Sequence, residues 1–289
     1  MNSHGWQLLY QTIRQAASVL PRPRRRPRYS DTLIVAMFFW AVWNDRPMSW
    51  ACDRSHYHGP FRPPRLPSVS QFSRRLRSDR TEQVLDGVFR RLAETDRITR
   101  LCCLDGRPLP LGSCSKDREA RPGRVYGGFS RGYKLHALIT ADYRVLTWCV
   151  TALNVSEQTA AVALIETVPV LGLVLADGNY DGGPVYDAVA AKGGQLLTPL
   201  SDNAGQGHRQ QSPHRLSAID LYRDWGRYVY PERIRVEQGL AHMATFGGGL
   251  GPLPTWVRTL ERVRRWVGAK MILYHVRRRV RRQETLHAA

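Results

Sequence analysis

The amino-acid sequence predicts an α/β protein, a mixed sheet with helices on its faces, preceded by an all-helical, basic unit. Three observations carry this. Up to about residue 97 the apolar residues recur at helical spacing. Beyond it short apolar runs take over, and two of them, 101–104 (LCCL) and 171–176 (LGLVLA), end in Asp-Gly. Between those runs lie a hairpin pattern and a helical stretch, the alternation that builds crossover units around a partly parallel sheet.

Taken in order, a short leading helix is followed by the proline-broken basic stretch PRPRRRPRY at 21–29. Ser30 or Asp31 can cap a helix running to about Trp43, apolar enough for the core. A Pro- and Gly-rich connection, 46–67, leads to Ser68, which caps a helix to about Asp79 carrying Arg74, Arg75 and Arg77. Another helix is expected over about 81–95. After the strand at 101–104, residues 133–140 and 145–153 form a hairpin around Asp142-Tyr143. Residues 157–168 are helical, 171–176 a strand, 182–192 helical and 195–200 a strand. The polar stretch 201–226, rich in His, Gln and Ser, is expected to be a mobile loop or small insertion. Helices over 232–245 and 255–282 are interrupted by Gly247, Gly248, Gly249 and Gly251. The expected division is 1–97 helical, 98–275 sheet-bearing and 276–289 a basic C-terminal tail.

Charge narrows the function. Lys and Arg total 43 against 24 Asp and Glu, a net charge of +19 in 289 residues. Such an excess points to a polyanion, because each neutralised phosphate releases counterions. Arginine dominates the excess, and its planar fork suits phosphate. At 43% hydrophobic the chain can bury a core. The five cysteines show no C-x-x-C pair, which argues against zinc and for reduced thiols inside a cell. The N-terminus lacks a signal-peptide apolar region, and the longest apolar run, 32–43, is too short to span a bilayer. A cytoplasmic protein with no membrane partner is expected.

Asp105 and Asp177 stand at the ends of the two apolar strands, where open α/β sheets collect ligands. If those strands are neighbours, the two carboxylates converge, and a divalent cation relieves their repulsion. Asp-Gly is also a common turn pair, so either residue alone has a purely structural explanation. Glu237 is the third candidate. It shares a helix face with Arg233, Ala241 and Ala244, while Ile234, Leu240 and Met243 can face the core. Taken by itself, Glu237 is better read as a solvated helix glutamate.

The segment Tyr230-Pro-Glu-Arg233-Ile-Arg-Val-Glu237 resembles the Y-(2)-R-(3)-E pattern of the IS4-type DDE transposases of bacterial insertion sequences. LCCLDG is similar to that family's first-aspartate strand. ADGNYD, 176–181, resembles its second, including the tyrosine three residues after the aspartate. The block Gly132-Tyr-Lys-Leu-His136 followed by a hairpin and Asn154, and the segments PRYSDTLIV and LPSVSQFSRRL, look like further parts of the family. The resemblance covers roughly residues 28–275. Where the family pattern continues with a lysine seven positions after the glutamate, this chain has Ala244.

The resemblance implies an RNase H-like catalytic domain behind a helical DNA-binding region. It implies two Mg²⁺ or Mn²⁺ ions on Asp105, Asp177 and Glu237, with Tyr230 and Arg233 positioning the DNA backbone. The implied partners are double-stranded DNA, both the element's terminal inverted repeats and the target, and a second copy in an active homodimer at the bacterial nucleoid. Arg74, Arg75 and Arg77 are candidates for a recognition helix. Between Arg258 and Arg282 ten basic residues face one acid, Glu261, so Arg264 and Arg265 are further candidates for DNA contact. Two alternatives stay open. Ala244 suggests a DNA-binding protein that lost catalysis, and a nuclease of the same fold need not carry out strand transfer.

Overall fold

The computed structural model describes residues 1–25, 27–93, 100–112, 115–200 and 212–288. The chain divides into two compact units. One comprises Met1–Glu94, Met243–Trp256 and Arg265–Ala289, the other Thr95–His242 and Val257–Arg264.

The described elements of the first unit are helices. α1 (Ser3–Ser18) starts on Asn2, whose side chain accepts from the Gly5 N–H, and buries Trp6, Leu9, Ile13 and Ala16 along one stripe. α2 (Asp31–Trp43) is capped by Ser30 and is apolar on every side, so nearly all of it is buried. Its one acid, Asp31, sits in the first turn beside the helix's positive end and is gripped by Arg75 at 2.6 Å and Arg80 at 2.5 Å. α3 (Val69–Leu76) opens with a reciprocal capping box between Ser68 and Gln71. α4 (Asp79–Ala93) packs on α1, where Gly87 lets Ala16 approach closely. The Lys270 ammonium is buried and donates to the Val42 carbonyl at 2.8 Å, the Gly248 carbonyl at 3.0 Å and Asp45 at 2.6 Å.

The second unit carries a six-stranded mixed sheet. Its strands are β1 (Leu101–Pro110), β2 (Arg121–Val125), β3 (Gly128–Thr140), β4 (Val145–Ala152), β5 (Leu173–Leu175) and β6 (Gln195–Leu197). β3 runs antiparallel to β1 along one edge; its other edge takes β2 against the first residues and β4 against the rest. β5 is parallel to β1, and β6 parallel to β5. The crossovers are α5 (Glu157–Glu166), which packs on β3 and β4, and α6 (Gly183–Ala191), which packs on β6.

Several elements differ from the sequence expectation. β2 (RPGRV) has no alternating pattern and is a strand only because β3 offers it an edge. Residues 212–226, expected within a loop, are helical: α7 (Pro213–Leu221) has Ser212 accepting from the Arg215 N–H and Pro213 in its first turn, and a π-turn, Tyr222–Gly226, follows. The remainder of that expected loop, 201–211, lies outside the described residues. The chain continues through α8 (Arg227–Val229) and a 3₁₀ turn, Tyr230–Arg233, into α9 (Ile234–Ala244). The last helix, α10 (Leu260–Ala288), begins after Thr259, whose φ of 69° breaks the helix expected from 255. α10 also absorbs the segment 276–288 expected as a basic tail. Among the described residues no helix is long and apolar enough to cross a membrane.

Candidate active site

Register places the first two carboxylates. In the parallel pair β1 and β5, Cys103 stands beside Leu175. Asp105 and Asp177 each lie two residues further on, so they stand side by side. Asp177 is just past the carboxyl end of β5. Asp105 is midway along β1, which runs on to Pro110 rather than ending at Asp105-Gly106 as expected, because β3 pairs with it throughout. Asp105 accepts from the Gly106 N–H at 2.9 Å, and Asp177 accepts from the Asn179 N–H at 2.9 Å, capping the short turn that follows.

The third element arrives through Tyr230, whose hydroxyl donates to the Ala176 carbonyl at 3.1 Å, next to Asp177. That bond fixes the turn leading to Arg233. One guanidinium nitrogen of Arg233 lies 3.7 Å from Asp105 and 3.8 Å from Asp177, and the other lies 3.1 Å from Glu237. Asp105, Asp177 and Glu237 are therefore gathered around a single cation. They are not equally enclosed: the side chains are 14%, 30% and 61% exposed. α9 is held to the sheet by Arg107, which donates to the Leu240 carbonyl at 3.0 Å, and by Tyr143, whose hydroxyl donates to Gln238 at 2.8 Å. Leu240 and Met243 are buried as expected, but Ile234 is exposed.

Burial pushes the Asp105 carboxyl up to about 6; the Gly106 N–H and Arg233 pull it down, and Asp177 and Glu157 add repulsion. Burial works against the charge of Arg233, yet Asp105 and the groups around it outweigh that and raise its pKa.

Sequence patterning misses the floor of the site. Tyr180 is fully buried, and its hydroxyl has no hydrogen-bond partner among the described residues. Gly106 leaves the space where Lys134, the Tyr180 hydroxyl and Glu157 meet, and Lys134 pairs with Glu157 at 2.5 Å. Lys134 and Tyr180 fall inside the segments GYKLH and ADGNYD, which was the available signal.

The donor set suits a hard divalent cation: carboxylate oxygens, with burial and mutual repulsion at Asp105 that a cation would relieve. Among the described residues no three His, Cys, Asp or Glu side chains stand close enough to share an ion, since Arg233 lies between the acids. The set fits in chemistry, and Arg233 supplies the countercharge.

The other expected site residues lie apart from these acids. Arg74 on α3 and Arg77 at its C-cap are exposed, whereas Arg75 is committed to Asp31. Arg264 is exposed, but Arg265 is turned inward and pairs with Glu82 at 2.9 Å. With Lys270 buried and Arg279 donating to the Arg91 carbonyl at 2.5 Å, the basic run of α10 is not one solvated face.

A family model described as the transposase DDE domain matches residues 79–274, about two thirds of the chain. The chain belongs to that family and is a DNA transposase. A comparison with curated proteins finds no match. Among solved structures, the chain is similar to the cryo-EM structure of a piggyBac transposase synaptic complex with hairpin DNA. The identity is 10% over 94% of this chain and 71% of that one, with a TM-score of 0.46, a likeness too loose to carry an argument.

Proposed function

We propose that the chain is an IS4-type transposase with an RNase H-like catalytic sheet, cutting and joining DNA at the ends of its own element through Asp105, Asp177 and Glu237. The observation that carries this reading is the shared register of Asp105 and Asp177 with a guanidinium set among all three acids. Asp105 and Asp177 would hold a divalent cation, Mg²⁺ or Mn²⁺, with Glu237 contributing to a second. Bound there, such a pair supplies a nucleophile at neutral pH and countercharge for the leaving oxygen in an in-line displacement at phosphorus. The chain's own part is to keep the acids converged. Tyr230 ties the turn to the Asp177 strand, Arg107 and Tyr143 tie α9 to the sheet, and Arg233 can exchange its carboxylates for a DNA phosphate.

The substrates in this reading are double-stranded terminal inverted repeats and target DNA. The active complex is a homodimer acting at the bacterial nucleoid. The helical region up to about residue 97, with Arg74 and Arg77, and the exposed Arg264 would bind DNA by charge, with affinity falling steeply as salt rises.

The test is single-turnover cleavage of a duplex carrying the element's end, with Mg²⁺ or with EDTA. Asp105→Asn, Asp177→Asn and Glu237→Gln should each lose cleavage by orders of magnitude while still binding DNA, because groups acting as one unit fail together. Glu261→Gln should cut as wild type does. Cleavage that survives chelation, or a Glu237→Gln chain that cuts normally, would overturn the assignment. Loss of cleavage with strand transfer absent even in wild type would favour a plain nuclease.

A further inference from the structure

The tip of the β2–β3 hairpin, residues 121–131, belongs to none of the machinery described above. Its turn is built on Gly127 and Gly128, with φ of 81° and 150°. Cross-strand partners share a face. Gly123 and its partner Ser130 therefore share one face, on which a Cβ at Gly123 would come within 2.7 Å of Leu153. The opposite face pairs Arg124 with Phe129 and Pro122 with Arg131. Tyr126 stands at the tip, 99% exposed, and Phe129 is 77% exposed; they are the two most exposed large apolar side chains among the described residues.

The surroundings are cationic. Residues 115–131 contain Lys116, Arg118, Arg121, Arg124 and Arg131 against Asp117 and Glu119. Both acids are turned away to the start of α10, Asp117 accepting from the Thr259 N–H at 2.8 Å and Glu119 from the Leu260 N–H at 2.6 Å. Arg131 braces the base of the hairpin through the Asp117 and Ala120 carbonyls, leaving Arg118, Arg121 and Arg124 exposed.

We propose that this hairpin is a DNA-contacting finger, in which Tyr126 and Phe129 stack on an unpaired base while Arg124, on the same face as Phe129, holds an adjoining phosphate. Aromatic faces accept any base, and guanidinium groups accept the backbone. A second copy of the chain is a poorer occupant, because two such cationic faces repel. The finger extends past the carboxyl end of β1, where Pro110 pairs with Gly132, and Asp105 lies back along that strand. Asp105 pairs with Ala137, and the tip lies about nine residues away along β3, or about 30 Å. That spans about nine base pairs of duplex, so the stacked base lies no further than this from the phosphate being cut. The inference rests on the transposase reading and adds a contact to it.

The probe is a fluorescein-labelled 40-base-pair duplex, either perfect or carrying one bulged 2-aminopurine, bound by the full chain. Wild type should bind the bulged duplex more tightly and quench the 2-aminopurine. Tyr126→Ala/Phe129→Ala should bind it at least about five-fold more weakly and restore the fluorescence, while keeping wild-type affinity for the perfect duplex. Both side chains are exposed, so the variant should melt as wild type does. Equal quenching and equal preference in variant and wild type would overturn the finger and leave the transposase reading intact. So would a variant changed only in oligomeric state. A wild-type chain that binds neither duplex would overturn both.

Discussion

Arg233 and Glu237 stand one helical turn apart, 3.1 Å between Nη1 and Oε1, while the second nitrogen of the same guanidinium faces Asp105 and Asp177. One internal cation thus balances three acids that would otherwise repel. In Arg233→Gln the acids lose this partner, and in EDTA the chain should melt several degrees below wild type. Mn²⁺ should then raise the variant's melting temperature more than wild type's, because a ligand that binds only the folded state stabilises it by mass action. A variant that melts higher than wild type in EDTA, or that gains no more from Mn²⁺, would show that Arg233 does not stand in for a cation.

How much of this was legible is a matter of what each feature depends on. Asp105 and Asp177 could be read because a buried parallel strand leaves a continuous apolar run and its end is marked by Asp-Gly; the adjacency of the strands could not, being a tertiary fact. α7 carried a local signal, Ser212 followed by Pro213, that its polar composition obscured. β2 carried none, since Arg, Pro and Gly become a strand there only by pairing with β3. Arg75 and Arg265 looked like free charge in a list of basic residues, yet helix geometry turns each toward an acid far away in sequence, Asp31 and Glu82.

The position of Glu237 depends on Arg107, two residues beyond Asp105 on β1, through its bond to the Leu240 carbonyl. A hydrogen bond from a charged donor contributes about 1.5–3 kcal/mol, so Arg107→Ala should lower stability by an amount in that range in urea melts. Its effect on single-turnover cleavage should exceed what stability explains. Combined with Glu237→Gln, the losses should fall well short of additive, because both variants disable one group. Additive losses would mean that Arg107 acts elsewhere.

His136 provides a pH signature outside the acids. It is fully buried, its Nε2 lies 2.9 Å from the Thr151 hydroxyl, and burial, helped by the charge of Lys134, holds its pKa down at about 4. Unfolded histidine titrates near 6.5, so between about 6.5 and 4 the unfolded chain binds the extra proton. Stability from this group is complete above pH 6.5 and is lost as pH falls, at up to about 1.4 kcal/mol per pH unit. Asp105, held up at about 6, titrates with the opposite sign in the same window. The His136 contribution is therefore read as the difference between wild type and His136→Gln in urea melts from pH 7 to 4.5, about one proton. An unchanged slope in the variant would place the titration on another residue.

The arginines of α3 should divide by what they touch. Arg75 neutralises Asp31, whose side chain is only 8% exposed, with Arg80 as the second partner. Arg75→Ala leaves that buried carboxylate half-compensated, and a loss of about 1–3 kcal/mol is expected, moderated by Arg80. Because its guanidinium is already engaged, the variant's DNA affinity at temperatures where it stays folded should match wild type. Arg74 and Arg77 are exposed, and the Nε of Arg77 donates only to the Ser73 carbonyl of its own helix. Replacing either with alanine should leave the urea midpoint unchanged while weakening duplex binding and lowering the salt slope by about one for each phosphate contact removed. Melting curves and salt-dependent anisotropy on the same three variants decide the matter. If Arg75→Ala reduces the salt slope and leaves stability intact, Arg75 contacts DNA and the Asp31 pair is incidental; if Arg74→Ala and Arg77→Ala leave the slope untouched, α3 is not the helix that meets the phosphates.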